Sequence, residues 1–262
     1  MAPKRRIDAL LAERGLAGSR TSAAASVRAG RVRVGRGGEV AAKPSQLVAE
    51  NVELTLERGP EYVSRGGIKL ANALDALRID VEGLRCLDVG ASTGGFTDCL
   101  LKRGADRVIA LDVGRGQLDW TLRIDDRVEV IEGLNARDLD PGQLPYAPEL
   151  TTVDVSFISL ATVLPHVARC LPDRGTLLAL VKPQFELDRR RVGKGGVVRD
   201  AADRHEALRR AARAARGAGL AVQGFASSGL PGPKGNRETF LWAARGIESV
   251  SDVEAAIDEV EP

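Results

Sequence analysis

The sequence predicts an α/β chain: a doubly wound parallel sheet with an antiparallel terminal strand, preceded by a small, basic α+β module. Three observations carry this. From residue 84 onward, short apolar runs alternate with segments of helical period, the pattern of a parallel sheet covered by helices on both faces. Near residue 230 two apolar runs are separated only by a short Gly- and Pro-rich loop, which suits an antiparallel pair rather than another crossover. The first 36 residues carry nine Lys or Arg against two Asp or Glu, a net +7 that leaves −5 of the overall +2 to the remainder. That asymmetry marks a separate module and points to a polyanionic partner; the alternative is a solvated basic surface.

In the first module Ile7, Leu10 and Leu11 recur at helical spacing, and Gly15 can end that helix. Ser19 is placed to cap a second helix over 20–29, closed by Gly30. Val32 and Val34 alternate with Arg31 and Arg33 as in a half-exposed strand; glycines at 35, 37 and 38 turn the chain, and 52–56 alternates again. The stretch Arg58-Gly59-Pro60-Glu61 resists regular structure, so the boundary is expected near residue 60, dividing the chain into 1–60 and 61–262. A helix over 67–77, with Leu70, Leu74 and Leu77 on one face, leads into the sheet. Strands are expected at 84–89, 107–112, 127–131, 150–156 and 175–182, and helices at 95–103, 115–122, 159–170 and 200–216. The last two strands fall at 220–227 and 238–244, joined through residues 229–236.

An apolar fraction of 44% supports a sizeable core, and with aromatics at 3% the packing falls to Leu, Val, Ile and Ala. No apolar run is long enough to cross a bilayer, and charges interrupt the stretch after the basic N-terminus, so neither a membrane span nor a secretory signal is expected. Cys86, Cys99 and Cys170 are odd in number, widely spaced and set among apolar residues. They read as reduced core residues, with no disulfide and no metal site, and the expected location is cytoplasmic.

Chemistry enters at Asp88-Val89-Gly90-Ala91-Ser92-Thr93-Gly94-Gly95-Phe96, which follows the first strand of the sheet and opens a helix. Glycines there permit a sharp turn and let a ligand approach the main chain. A dinucleotide site would space its glycines G-x-G-x-x-G, and glycines at 90, 94 and 95 do not. A carboxylate at Asp88 suits a cationic sulfonium or ammonium better than a pyrophosphate. Asp112, ending the next strand beside Val113, can accept hydrogen bonds from both ribose hydroxyls of an adenosine. Asn135 lies past the third strand, where an adenine edge would be read. Singly, these features also read as a tight βα connection and a helix cap. In order and at strand ends, they favour S-adenosylmethionine over a nicotinamide dinucleotide.

Methyl transfer from a sulfonium is a direct displacement, so a nucleophile must be aligned and activated. If the acceptor is a hydroxyl, an ammonium with a lowered pKa can take or steer its proton. Two lysines and two carboxylates make a suitable cluster, and Lys69, Asp154, Lys182 and Glu238 are the candidates. Asp154 and Lys182 end adjacent strands on the face where α/β folds bind ligands. Lys69 and Glu238 cannot be placed by pattern, and each of the four singly also reads as a surface charge or salt-bridge partner.

This quartet resembles the K-D-K-E tetrad of ribose 2′-O-methyltransferases of the FtsJ class. The wider chain resembles the TlyA family of bacterial rRNA 2′-O-methyltransferases, also called hemolysins. The matching stretches are Ser64-Arg65-Gly66-Gly67-Ile68-Lys69-Leu70, residues 87–97, Asp154-Val155-Ser156-Phe157-Ile158-Ser159-Leu160, Val181-Lys182-Pro183-Gln184-Phe185-Glu186 and Gly235-Asn236-Arg237-Glu238. The first module is similar to the S4-type RNA-binding fold through Arg6-Ile7-Asp8, Gly18-Ser19-Arg20 and Gly30-Arg31-Val32-Arg33-Val34. The resemblance implies a Rossmann-like methyltransferase domain behind an S4-like domain, with S-adenosylmethionine as cofactor. It further implies methylation of cytidine ribose in 16S and 23S rRNA on ribosomal subunits, with Lys182 activating the 2′-hydroxyl, Asp154 orienting it, and Lys69 and Glu238 completing the network. The linker departs from the family, since residues 58–62 lack its Arg- and Trp-containing tetrapeptide.

Arg6, Arg20, Arg28, Arg31, Arg33 and Arg65 are the candidate RNA contacts, with Arg36 beside them. Arginines contacting phosphates give affinity that falls with salt and carries little sequence information. Few aromatics lie nearby, so recognition is by RNA shape, and the second domain must extrude its target nucleotide. Arg189, Arg190, Arg191 and Lys194 suggest a mobile loop that clamps phosphates or is simply solvated. Two other classes stay open: a membrane-active cytolysin, against which the lack of a span counts, and a catalytically silent assembly factor, against which the intact quartet counts.

Overall fold

The computed structural model describes residues 3–57, 59–250 and 252–261, and the backbone falls into two units, Met1–Glu61 and Tyr62–Pro262. Arg58, in the expected linker, lies outside the described residues. In the first unit β1 (Lys4–Arg6) runs directly into α1 (Ile7–Glu13), and α2 (Arg20–Arg28) follows. Ser19 caps α2 by accepting a hydrogen bond from the Ser22 amide at 3.1 Å. Next come β2 (Val32–Val34), β3 (Glu39–Val40), β4 (Leu47–Ala49) and β5 (Leu54–Leu56). β2 lies between β3 and β5, antiparallel to both, while β4 pairs with β1. Ile7, Leu10, Leu11, Ala23, Val27 and Val32 form the core of this unit.

The second unit opens with α3 (Arg65–Leu77), capped by Ser64, and continues through β6 (Arg85–Val89), α4 (Gly95–Lys102), β7 (Arg107–Asp112), α5 (Trp120–Arg123) and β8 (Val128–Glu132). Then follow β9 (Leu150–Val153), α6 (Leu160–Cys170), β10 (Thr176–Val181), α7 (Pro183–Glu186), α8 (Ala201–Gly217), β11 (Ala221–Ser227), β12 (Thr239–Ala244) and α9 (Val253–Val260). Seven strands form one sheet in the order β11-β12-β10-β9-β6-β7-β8. Only β12 runs against its neighbours, and it inserts between β10 and β11 instead of ending the sheet. Leu160, Val163 and Leu164 of α6, Leu208 of α8 and Ile257 of α9 cover one face. Leu70 and Leu74 of α3 and Phe96, Cys99 and Leu100 of α4 cover the other.

Several expectations are corrected. The helix expected over 115–122 is reduced to α5. The Gly114 and Gly116 amides instead donate to side chains, Asp112 at 2.6 Å and Glu132 at 2.9 Å, Gly116 takes φ +70°, and Asp119 caps the short helix from outside. The strand expected to reach 156 ends at Val153, and the chain reverses at Phe157, whose φ is +65°. The loop that carries the arginine triplet contains two short 3-10 turns, Arg189–Arg191 and Lys194–Gly196, with Arg191 bonded to Asp203 at 2.6 Å. The β1–β4 pair and α9 carry no sequence signal read above.

The three thiols are free and buried, and burial pushes those of Cys86 and Cys99 up to about 12. Among the described residues no helix is long and apolar enough to cross a membrane.

Candidate active site

Two glycines let two helix starts meet. A Cβ on Gly95 would stand 2.1 Å from Ser64 Oγ and 2.9 Å from the Gly67 amide, while one on Gly67 would stand 2.3 Å from the Tyr62 ring. With no side chains there, the N-terminus of α3 packs directly on the glycine turn before α4. Lys69, one turn into α3, thereby lines the same cavity as Gly90, Ala91, Ser92, Thr93, Gly95 and Phe96. That cavity has a volume of about 370 Å³ and Asp154 lies on its wall.

The four charged candidates form two ion pairs. Lys69 Nζ donates to Glu238 Oε2 at 2.5 Å, joining α3 to the start of β12. Both partners are buried, Lys69 at 8% and Glu238 at 2% exposure. Glu238 Oε1 has no hydrogen-bond partner, and a Cβ on Gly232 would come within 2.2 Å of it. The loop between β11 and β12 therefore roofs this carboxylate with bare backbone. Arg65 reaches across to the same loop, donating to the Pro231 carbonyl at 2.8 Å. In the second pair, Lys182 Nζ stands 2.6 Å from Asp154 Oδ1 as an ion contact outside the hydrogen-bonding direction. Its hydrogen bond goes to Ser156 Oγ, at 2.8 Å.

Gly90 shows why the turn needs glycine. It has φ +88°, and a Cβ there would stand 2.4 Å from the Asp154 carbonyl oxygen. Its amide and that of Ala91 donate to the Leu111 carbonyl at 2.8 and 3.0 Å. Ser92, also at positive φ, donates its amide to Asp112 Oδ2 at 2.8 Å. Gly94 caps α4 at φ +95° and lines neither cavity. On the far side of the turn a larger cavity, about 770 Å³, is lined by Asp112, Val113, Asn135, Arg137, Asp154 and Phe157 among others. Asn135 also caps a short turn by accepting from the Arg137 amide at 3.2 Å.

Asp88 departs from its expected place. It is fully buried and lines neither cavity, so it does not face a cationic ligand. Its Oδ2 accepts from the Thr97 amide at 2.9 Å and the Thr97 hydroxyl at 2.7 Å, and its Oδ1 from Thr152 at 3.3 Å. The residue ties α4 to the sheet beneath the glycine turn. Burial pushes its carboxyl up to about 7, against the pull of the Thr97 hydrogen bonds and with Asp154 adding to the rise.

Other features were not singled out by sequence. Ser156 holds Lys182, and Phe157 is 90% exposed, stacked at a tilt on Phe185 with ring centroids 5.2 Å apart. Both lie in a stretch quoted for its family resemblance, but nothing in their spacing gave them a task. Glu186 caps α6 through Ser159 Oγ at 2.6 Å and the Leu160 amide at 2.9 Å.

In the first unit, most of the candidate RNA contacts already have partners. Arg6 and Arg20 both bond Asp8, Arg33 bonds Glu57 at 2.7 Å, and Arg31 reaches Ser26 Oγ at 3.3 Å. Arg28 and Arg36 are exposed.

Comparison with known proteins agrees with this layout. Residues 62–245 match the FtsJ-like methyltransferase family and residues 5–54 match the S4 domain. The 16S/23S rRNA (cytidine-2′-O)-methyltransferase TlyA of Mycobacterium tuberculosis is 47% identical, covering 99% of both chains. Hemolysin A of Brachyspira hyodysenteriae is 40% identical over 89% of this chain and 97% of its own. A solved structure of a hemolysin candidate from Streptococcus thermophilus superposes with a TM-score of 0.74 at 40% identity, covering 99% of this chain and 95% of that one. The chain belongs to the FtsJ-like methyltransferases, in their TlyA branch, with an S4 domain ahead of the methyltransferase domain.

Proposed function

We propose that this chain transfers a methyl group from S-adenosylmethionine to the 2′-hydroxyl of cytidine ribose in 16S and 23S rRNA, acting on ribosomal subunits. The observation that carries the reading is that Lys69, paired with Glu238, and Asp154, paired with Lys182, line one cavity beside the glycine turn. The residues fit the cofactor. Gly90, Ser92 and Asp154 line both cavities, Asp112 puts a carboxylate acceptor on the wall of the larger one, and both cavities lie in the size range of small-molecule sites. Asp112, Val113 and Asn135 would hold the adenosine, and Ala91, Ser92, Thr93, Gly95 and Phe96 the remainder, with Asp88 and Gly94 supporting the turn from behind.

When bound, the cofactor supplies a methyl group made electrophilic by its sulfonium. The chain aligns the acceptor and manages its proton. Lys182 takes or steers the proton of the 2′-hydroxyl as the oxygen attacks, and Asp154 balances the charge on its nitrogen. Ser156 fixes the direction of the Lys182 nitrogen. Lys69, held by Glu238, adds a positive charge beside the oxygen as negative charge develops there. Phe157, exposed next to this cluster, offers a face on which an extruded base can stack.

The test is methyl transfer from labelled S-adenosylmethionine to purified 30S and 50S subunits, with the products mapped at nucleotide level. A Lys182→Ala variant should lose about 10²- to 10⁴-fold in turnover while keeping cofactor affinity. Undiminished transfer by that variant would overturn the assignment of Lys182. Label appearing on a base or on protein would overturn the choice of acceptor.

A further inference from the structure

Asp8 is a carboxylate placed where a phosphate-binding surface should not want one. It sits in the first turn of α1, 3% exposed, between Arg6 at the end of β1 and Arg20 at the start of α2. Arg6 grips it with two parallel bonds, Nε to Oδ1 at 3.0 Å and Nη2 to Oδ2 at 2.7 Å. Arg20 Nε reaches the same Oδ2 at 3.3 Å. The Asp8 main chain is anchored as well, its amide donating to the Pro44 carbonyl at 3.2 Å. The burial is one-sided: the Asp8 side chain is 4% exposed, that of Arg6 44% and that of Arg20 59%. Two like charges are thus held side by side by a buried anion, while both arginine side chains keep about half of their surface exposed. A guanidinium carries five N–H donors; Arg6 commits two to Asp8 and Arg20 one.

We infer that Asp8 is a positioning residue for RNA, fixing Arg6 and Arg20 as a paired fork for backbone phosphates. This rests on the reading that the first unit binds rRNA. Planar, bidentate recognition of a phosphate depends on the guanidinium's orientation, and a pre-set arginine loses less freedom on binding than a free one. The other ion pairs among the described residues of this unit lack the device: Arg33 with Glu57, and Arg5 with Glu13 and Glu50, are well exposed on both sides, so neither partner is anchored. The Arg6 hydrogen bonds also keep the Asp8 carboxyl down at about 2, so the fork stays ionised wherever RNA binding is measured.

The inference has a sign that distinguishes it from simple electrostatics. Asp8 subtracts one charge from a basic surface, so removing it should tighten RNA binding if charge alone matters. If Asp8 orients the fork, removing it weakens binding although the surface becomes more positive. The test uses the full chain, titrated with purified 30S and 50S subunits over about 50 to 200 mM salt. Asp8→Asn should lower affinity about three- to tenfold and flatten the salt dependence, with kcat at saturating subunits unchanged. Asp8→Glu, which restores the charge one methylene further out, should recover part of the loss. In an Arg6→Ala/Arg20→Ala background Asp8→Asn should cost nothing more. Equal or tighter binding by Asp8→Asn overturns the inference, and so does an undiminished cost in the double-arginine background, which would assign Asp8 to folding alone. If Arg6→Ala/Arg20→Ala itself leaves binding intact, the reading of the first unit fails first.

Discussion

Replacing Lys69 with Met separates what the Lys69–Glu238 pair does for stability from what it does for chemistry. The ammonium and carboxylate are 2.5 Å apart and 8% and 2% exposed, so removing Lys69 leaves a carboxylate with no counter-charge. Glu238 Oε1 already lacks a bond, and the approach of Gly232 leaves little room for water to replace the ammonium. Stripping one partner from such a pair costs about 3–5 kcal/mol. The cost is to unfolding of the second unit, and the assay can isolate it, because Trp120 and Trp242, the chain's two tryptophans, both lie there. Urea unfolding followed by tryptophan fluorescence at pH 8 should show the loss. Lys69→Met/Glu238→Gln should return to within about 1 kcal/mol of the parent while methyl transfer stays lost. A single variant that loses less than about 1 kcal/mol, the range of an exposed pair, would refute the reasoning. So would a double variant no more stable than the single one.

Three further outcomes follow from the same geometry. Gly90→Ala combines a positive φ with a clash against the Asp154 carbonyl, so it should destabilise by about 1–3 kcal/mol and cut turnover about 100-fold by shifting Asp154; a crystal structure or kinetics showing neither would contradict the close approach. Asp88, raised to about 7 when folded, binds its proton more tightly in the native state, so its contribution is full below about pH 4 and is lost as pH rises through 7. Urea titrations should show stability falling by up to about 1.4 kcal/mol per pH unit across that window, and Asp88→Asn should remove this slope. Phe157→Ala should leave the unfolding free energy within about 0.5 kcal/mol, yet reduce transfer to subunits at saturating S-adenosylmethionine about 10- to 100-fold; a normal rate would show that no base stacks there.

The sheet was legible because buried parallel strands read as continuous apolar runs and each is followed by a helix of proper period. The same continuity hid the direction of Asp88. In a strand covered on both faces, alternation does not say which way a carboxylate points, and Asp88 points at Thr97 beneath the turn. Lys69 and Glu238 lie 169 residues apart, so no local pattern relates them, and only the resemblance placed them in one quartet. Counting charge overstated the free cations of the first unit, because Asp8 and Glu57 neutralise neighbours that are adjacent in space. The helix expected over 115–122 starts late because side-chain acceptors take the Gly114 and Gly116 amides, a contact that helical period does not reveal.

The insertion of β12 between β10 and β11 also sets an order of events as the polypeptide is made. Synthesis proceeds from the N-terminus, and domains fold as units once their parts are available. The S4 domain, the glycine turn, Asp154 and Lys182 all emerge while β10 still presents an open edge and Lys69 lacks its carboxylate. Only the strand carrying Glu238 at its head closes both gaps at once. A half-made chain can therefore display its basic surface long before it can react, and completion of the sheet and completion of the quartet are a single step in its maturation.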